Sequence, residues 1–244
     1  MMKLHSNKIE MVMFDIGKTI YNKDTQNNVS EKVLLAINKL KEKGIIVGVC
    51  TMRTYQSCLS LIPEKLDFYI CLNGSYVVCN NLLIINNKMK NIFSSEKMLM
   101  YSATKTYYKN KQSLMKAQEN GFLAEQQGEI FKPYVVTLFD IDFDSVSLYR
   151  NDYNISYWEK TKTLSLQTKN SSKLFSLEHI LKILNVKKFL FFADGPNDLE
   201  IFKNYKCGIM VKNGHPLLKE FCIDECEECN EDGIYNYLVN KNII

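Results

Sequence analysis

Short apolar runs alternate with amphipathic stretches at both ends of this chain, and their spacing predicts which become strands and which become helices. The first run, Ile9–Phe14, places a buried strand over residues 8–15. Ser30 then offers an N-cap to a helix over 31–43, with Val33, Leu34, Ile37 and Leu40 on one face and Gly44 as its stop. Residues 45–50 form a second strand ending at Thr51, 54–61 a short helix closed by Pro63, and 67–72 a third strand that leads into the Asn73-Gly74 turn and Tyr76-Val77-Val78. Strand–helix–strand alternation of this kind implies right-handed crossovers and a parallel sheet.

Between about 80 and 170 the texture changes. Ser94–Asn110 reads as a long helical stretch, and Tyr134–Phe139, Ile155–Glu159 and Thr163–Thr168 read as strands. From Ser172 the earlier rhythm returns: helix 172–184, strand 187–193, helix 197–204, strand 207–211, helix 214–220 and a last helix near 234–240. The expected architecture is α/β, a Rossmann-like parallel-sheet core assembled from residues 1–80 and 170–244. An inserted α+β module of residues 81–169 lies over its ligand edge.

Composition narrows the class without naming a function. Apolar residues make up 46% and charged residues 24%, the balance of an ordinary protein with a substantial core. No stretch is long and apolar enough for a transmembrane helix, and the polar start leaves no room for a signal peptide, so the expectation is a cytoplasmic protein without a membrane partner. The net charge of +4 is spread over many lysines, with Arg53 and Arg150 the only arginines. No basic stripe with aromatic readers appears, so no nucleic-acid partner is expected. Among eight cysteines, Cys222, Cys226 and Cys229 have a C-x3-C-x2-C spacing. Acidic neighbours and an incomplete ligand set argue against a cluster or zinc there. Oligomeric state is not encoded in any pattern.

Chemistry concentrates at strand ends. Asp15 and Asp194 each close an apolar run and are followed by a short polar turn. In an open parallel sheet, ligands bind outside the carboxyl ends of the strands where strand order reverses. Two carboxylates delivered there form a pocket for a hard cation such as Mg²⁺ and a phosphate. Gly17-Lys18-Thr19 looks like the end of a Walker A loop, but the position of that loop's first glycine holds Val12. Thr51-Met52-Arg53 offers a hydroxyl and backbone N–H groups to a phosphate oxygen. Lys173 offers an ammonium at a helix start, and Asp194-Gly195-Pro196-Asn197-Asp198 gathers oxygen ligands in one place.

These four segments together resemble the haloacid dehalogenase superfamily, in particular its Cof-type phosphatases with a large cap. That family carries Asp-x-Asp-Gly-Thr after its first strand, where this chain has Asp15-Ile16-Gly17-Lys18-Thr19. Its threonine–Gly–Arg motif appears as Thr51-Met52-Arg53, its lysine as Lys173, and its Gly-Asp-x-x-Asn-Asp as Ala193-Asp194-Gly195-Pro196-Asn197-Asp198. The resemblance implies a Mg²⁺-dependent phosphatase of small phosphorylated metabolites. Asp15 would be its nucleophile and a metal ligand, with the Gly17 carbonyl, Asp194 and Asp198 completing the metal set. Thr51 and Lys173 would hold the phosphoryl group, and Arg53, Asn73 and Asn197 would face the substrate. The inserted module would act as a lid.

The first motif departs from the family. Where the family's second aspartate protonates the leaving group and then activates water, this chain has Gly17, and Lys18 stands where the family has glycine. General acid–base catalysis contributes about 10²–10⁴-fold, so a slow phosphatase is expected. The alternative is a phospho-ligand-binding or regulatory protein on the same fold.

Overall fold

The computed structural model describes residues 9–88, 98–101, 106–108, 134–138 and 141–244. The chain divides into two compact units, one made of Met1–Ile84 and Lys173–Ile244 and the other of Ile85–Ser172.

The first unit is built on an eight-stranded sheet. Strands β1 (Met11–Phe14), β2 (Ile46–Cys50), β3 (Phe68–Cys71), β4 (Tyr76–Cys79) and β5 (Leu82–Asn86) come from the amino-terminal part. Strands β11 (Phe189–Ala193), β12 (Gly208–Val211) and β13 (Asp224–Cys226) come from the carboxyl-terminal part. Their spatial order is β13-β12-β11-β1-β2-β3-β4-β5. Pairing is parallel from β13 through to β3 and antiparallel between β3 and β4. Strands β1 and β11 are buried along their whole length, which explains why they read as continuous apolar runs rather than alternating ones. Between β4 and β5 the link is Asn80-Asn81, both at positive φ (49° and 65°), the backbone of a type I′ hairpin turn that asparagine tolerates well.

Among the described residues, five helices accompany this sheet: α1 (Glu31–Glu42), α2 (Tyr55–Leu61), α3 (Lys173–Leu184), α4 (Leu199–Asn204) and α5 (Gly233–Asn240). The expected N-cap is present: Ser30 Oγ accepts from the Val33 N–H at 3.2 Å. Val33, Ile37 and Leu40 of α1 are buried in one cluster with Phe14, Val47, Phe192 and Leu238, so both ends of the chain share a single core. Gly233 opens α5 against the backbone; a Cβ there would lie 1.8 Å from the Glu227 carbonyl oxygen. Gly233→Ala is therefore expected to cost about 1–3 kcal/mol, read as a lower urea midpoint.

Three expectations need correction. Segment 214–220 is not an α-helix but a single 3₁₀ turn, Pro216–Leu218, closed by i→i+3 bonds such as Lys219 N–H to Pro216 O (3.1 Å). Strand β13 was not anticipated, because its Asp-Glu-Cys sequence lacks any apolar run. It runs through the cysteine-rich segment and leaves Cys226 and Cys229 buried as free thiols. Within Ser94–Asn110 the described residues are strands, β6 (Met98–Tyr101) and β7 (Thr106–Tyr108), and the rest of that stretch lies outside the described residues.

The second unit holds a separate five-stranded sheet. With β8 (Val135–Leu138), β9 (Asn154–Trp158) and β10 (Thr163–Gln167), its order is β7-β6-β8-β10-β9, and neighbouring strands pair antiparallel. Val146, Leu164 and Leu166 form its small core.

Candidate active site

Strand order reverses between β1 and β11, whose register pairs Phe14 with Phe192. Both strands run the same way, so Asp15 and Asp194 leave the sheet side by side at its carboxyl edge, where parallel α/β sheets bind ligands. Backbone bonds hold the exits: the Asp15 N–H donates to Phe192 O at 2.8 Å, and the His215 N–H donates to Asp194 O at 2.7 Å.

Lys173, at the start of α3, is 1% exposed and its Nζ donates to Asp15 Oδ1 at 3.0 Å and to Asp198 Oδ1 at 2.5 Å. Asp198 is fully buried and also accepts the Gly195 N–H at 3.1 Å. Asp194 accepts the Thr19 hydroxyl at 2.9 Å. Asp15, Asp194 and Asp198 each present an oxygen within 4.8 Å of the others, a set that can hold a metal ion. Three carboxylates face one ammonium, which leaves an excess of negative charge in a buried place.

That excess is felt in the titration of the groups. Burial, then the charges of Asp15 and Asp198, push Asp194 up to about 7. Burial also raises Asp198, against the pull of the Lys173 ammonium. Burial disfavours the charge on Lys173, but Asp15 and Asp198 overcome it and its pKa is raised, so it stays an ammonium. A divalent cation fits this donor set: all-oxygen, anionic and short of positive charge. An acid raised in the folded state binds its proton more tightly there than in the unfolded chain, so the folded form is favoured as pH falls. Without metal, the contribution of Asp194 to stability is therefore expected to decline as pH rises from its ordinary 3.8 to about 7, and to stay low above that. Mg²⁺ should raise the melting temperature more at pH 8 than at pH 5, and the difference should shrink in Asp194→Asn. An equal shift at both pH values would refute this.

The neighbouring loops complete the edge. Thr51 is buried after β2, its Oγ1 accepts the Arg53 N–H at 3.3 Å, and its carbonyl accepts the Asn73 N–H at 2.9 Å. Arg53 lies over the Tyr21 ring, 5.3 Å from its centroid, so the second loop touches the first. Asn73 is buried in the left-handed region (φ 54°), and its Oδ1 accepts from Asn197 Nδ2 at 3.1 Å. Ser176 of α3 ties this turn down, donating to Gly74 O at 2.8 Å. Every residue expected at the site thus lies in one of the loops that leave this edge of the sheet or at the start of α3. Two further groups take part. Thr19 is fully buried and orients Asp194, a role its place at the end of the first motif could have signalled. Cys50 is buried at the end of β2, and burial first, with the charges of Lys173, Asp198 and Asp15 after it, sets its thiol well above the ordinary range.

The first loop carries both departures. Gly17 pairs with Tyr21, the Lys18 N–H donating to Tyr21 O at 2.8 Å, and Lys18 itself adopts φ 58°. A left-handed conformation costs a side-chain-bearing residue about 1–2 kcal/mol, which glycine escapes. Lys18→Gly is therefore expected to stabilise the protein by roughly 0.5–1 kcal/mol after the entropy of the freer unfolded chain is subtracted, measured by urea denaturation.

Residues 12–238 match the family model of the haloacid dehalogenase-like hydrolases. The chain belongs to that family. This haloacid dehalogenase-like hydrolase is of the Cof type, and its fold recurs in solved structures. One is a haloacid dehalogenase-superfamily phosphatase of Bacteroides thetaiotaomicron, with TM-score 0.83 and 16% identity over 100% of this chain and 99% of the other. Another is a sugar phosphatase of subclass IIB, with TM-score 0.78 and 16% identity over 96% and 100%. A Streptococcus pyogenes serotype M6 protein, described as a candidate bifunctional phosphatase/peptidyl-prolyl cis-trans isomerase, is 25% identical across the whole of this chain. The chain spans 56% of that relative's length. No helix among the described residues is long and apolar enough to cross a membrane.

Proposed function

We propose that the protein is a Mg²⁺-dependent phosphatase of small phosphorylated metabolites, slow on those with an alkyl leaving group such as sugar phosphates, acting through an aspartyl-phosphate at Asp15. The observation that carries this reading is the buried cluster of Asp15, Lys173, Asp194 and Asp198 at the reversal of strand order. Asp15, Asp194, Asp198 and the Gly17 carbonyl would hold Mg²⁺, which would supply positive charge to offset that of the phosphate oxygens. Asp15 attacks phosphorus, the Lys173 ammonium and the Thr51 hydroxyl neutralise and orient the phosphoryl oxygens, and Arg53, Asn73 and Asn197 contact the rest of the substrate. Residues 1–80 and 170–244 are assigned to this chemistry, and residues 81–169 to a cap that selects the leaving group, in the cytoplasm.

Gly17 favours one competing reading, a protein that binds a phosphorylated ligand without turning it over. Hydrolysis of p-nitrophenyl phosphate separates the two. The phosphatase reading expects slow release that needs Mg²⁺ and is lost in Asp15→Asn. Stabilisation by Mg²⁺ with phosphate, but no release above background, would favour the binding protein.

A further inference from the structure

Among the described residues, nothing fills the space a side chain at Gly17, two residues after Asp15, would enter. A Cβ built on Gly17 meets no heavy atom within 4 Å outside its own chain neighbours, so no side chain from another described element has moved in to fill it. Asp24, the only carboxylate between Ile16 and Ser30, is exposed in a turn where its N–H donates to Asn22 Oδ1 at 3.1 Å. The side chains that crowd Asp15 already have work: Lys173 bridges Asp15 and Asp198, Asp198 accepts the Gly195 N–H, and Asp194 accepts the Thr19 hydroxyl. The carboxylates and the ammonium are in place, and among the described residues the position two after Asp15 carries open space instead of a side chain.

We infer, on the reading that Asp15 is the nucleophile, that this site uses donors whose leaving group departs as a stable anion, acyl phosphates and aryl phosphates. It then holds the phosphoryl group on Asp15, because no described side chain stands at position 17 to activate water. In the first step an Asp15 oxygen bonds to phosphorus while the bond from phosphorus to the leaving oxygen breaks, and the electron pair leaves with that oxygen. A carboxylate or phenolate carries that pair without a proton. An alkoxide does not, and its departure loses the share a general acid supplies, about 10²–10⁴-fold. In the second step water adds to phosphorus, the bond to Asp15 breaks, and the carboxylate is restored as phosphate forms. The water's proton passes to phosphate or solvent rather than to a neighbouring base. This step is slow whatever the donor, so the phosphorylated chain accumulates.

The test mixes the full chain and Mg²⁺ rapidly with p-nitrophenyl phosphate, acetyl phosphate or glycerol phosphate, following product release and intact mass. The expected result is a burst of one nitrophenolate per chain, then a slower steady phase. One phosphoryl adduct appears with the aryl and acyl donors, and none in Asp15→Asn. The wild-type preference for aryl over alkyl donor should exceed that of Gly17→Asp by about 10²–10⁴-fold. Steady turnover without burst or adduct, and the same aryl-to-alkyl preference in both proteins, would overturn the inference and leave a phosphatase. No adduct and no release from any donor, or release that survives Asp15→Asn, would overturn the phosphatase reading as well.

Discussion

Replacing Gly17 by aspartate is expected to raise steady-state phosphate release from an alkyl phosphate by about 10²–10⁴-fold, the contribution of one placed general acid–base. The expectation rests on space and position. Among the described residues, nothing beyond the adjacent ones lies within 4 Å of a Cβ at this site, so the first carbon of the new side chain displaces no described neighbour. Position 17 follows Asp15 by two residues in a loop pinned by the Lys18 N–H to Tyr21 O bond, so the added carboxyl starts from a defined backbone. The gain should appear in kcat, since proton transfer acts in the transition state and substrate binding does not need it. Glycerol phosphate is the substrate of choice because its leaving oxygen needs a proton. A rate unchanged in Gly17→Asp would mean that the loop presents the carboxyl away from Asp15, or that another group already moves the proton.

Lys173→Met should be the most damaging single change to stability, about 3–5 kcal/mol at pH 8 without metal. Lys173 is 1% exposed and is held between Asp15 and the fully buried Asp198. Methionine matches its length but not its charge, so Asp15, Asp194 and Asp198 would share a buried space with no counter-charge. The cost should shrink as pH falls below about 7, where Asp194 takes up a proton, and it should shrink when Mg²⁺ is added. Urea denaturation at pH 8 and pH 5, with and without Mg²⁺, measures all of this. A loss below about 1 kcal/mol under every condition would mean that the carboxylates are solvated in the folded protein.

The sequence by itself determined the parallel core and the candidate chemistry, because each rests on local signals. Continuous apolar runs mark strands covered on both faces, Ser30 marks the start of α1, and aspartates at the ends of two such runs mark the sheet's carboxyl edge. Where the local signal was weak, the reading failed. Stretch 94–110 supports helical spacing on paper, yet its described parts pair as β6 and β7, since short apolar segments fit either period until a neighbouring strand chooses. Pro216 and the short run after it sustain one 3₁₀ turn rather than a helix. Strand β13 has no apolar signature because it is a short acidic edge whose place is given by pairing with β12.

Only the tertiary structure decided what the site residues do to one another. Lys173 could have been a solvated lysine; burial between two carboxylates makes it, among the described residues, the cation paired with Asp15 and Asp198. Thr19 meets Asp194 through the crossing of chain segments far apart in sequence. Gly17 was visible as a missing carboxyl, but that its place stays empty is a property of the folded loop. Residue spacing encodes which groups reach an edge of the sheet. Burial and the balance of charge at that edge exist only once both ends of the chain have met there.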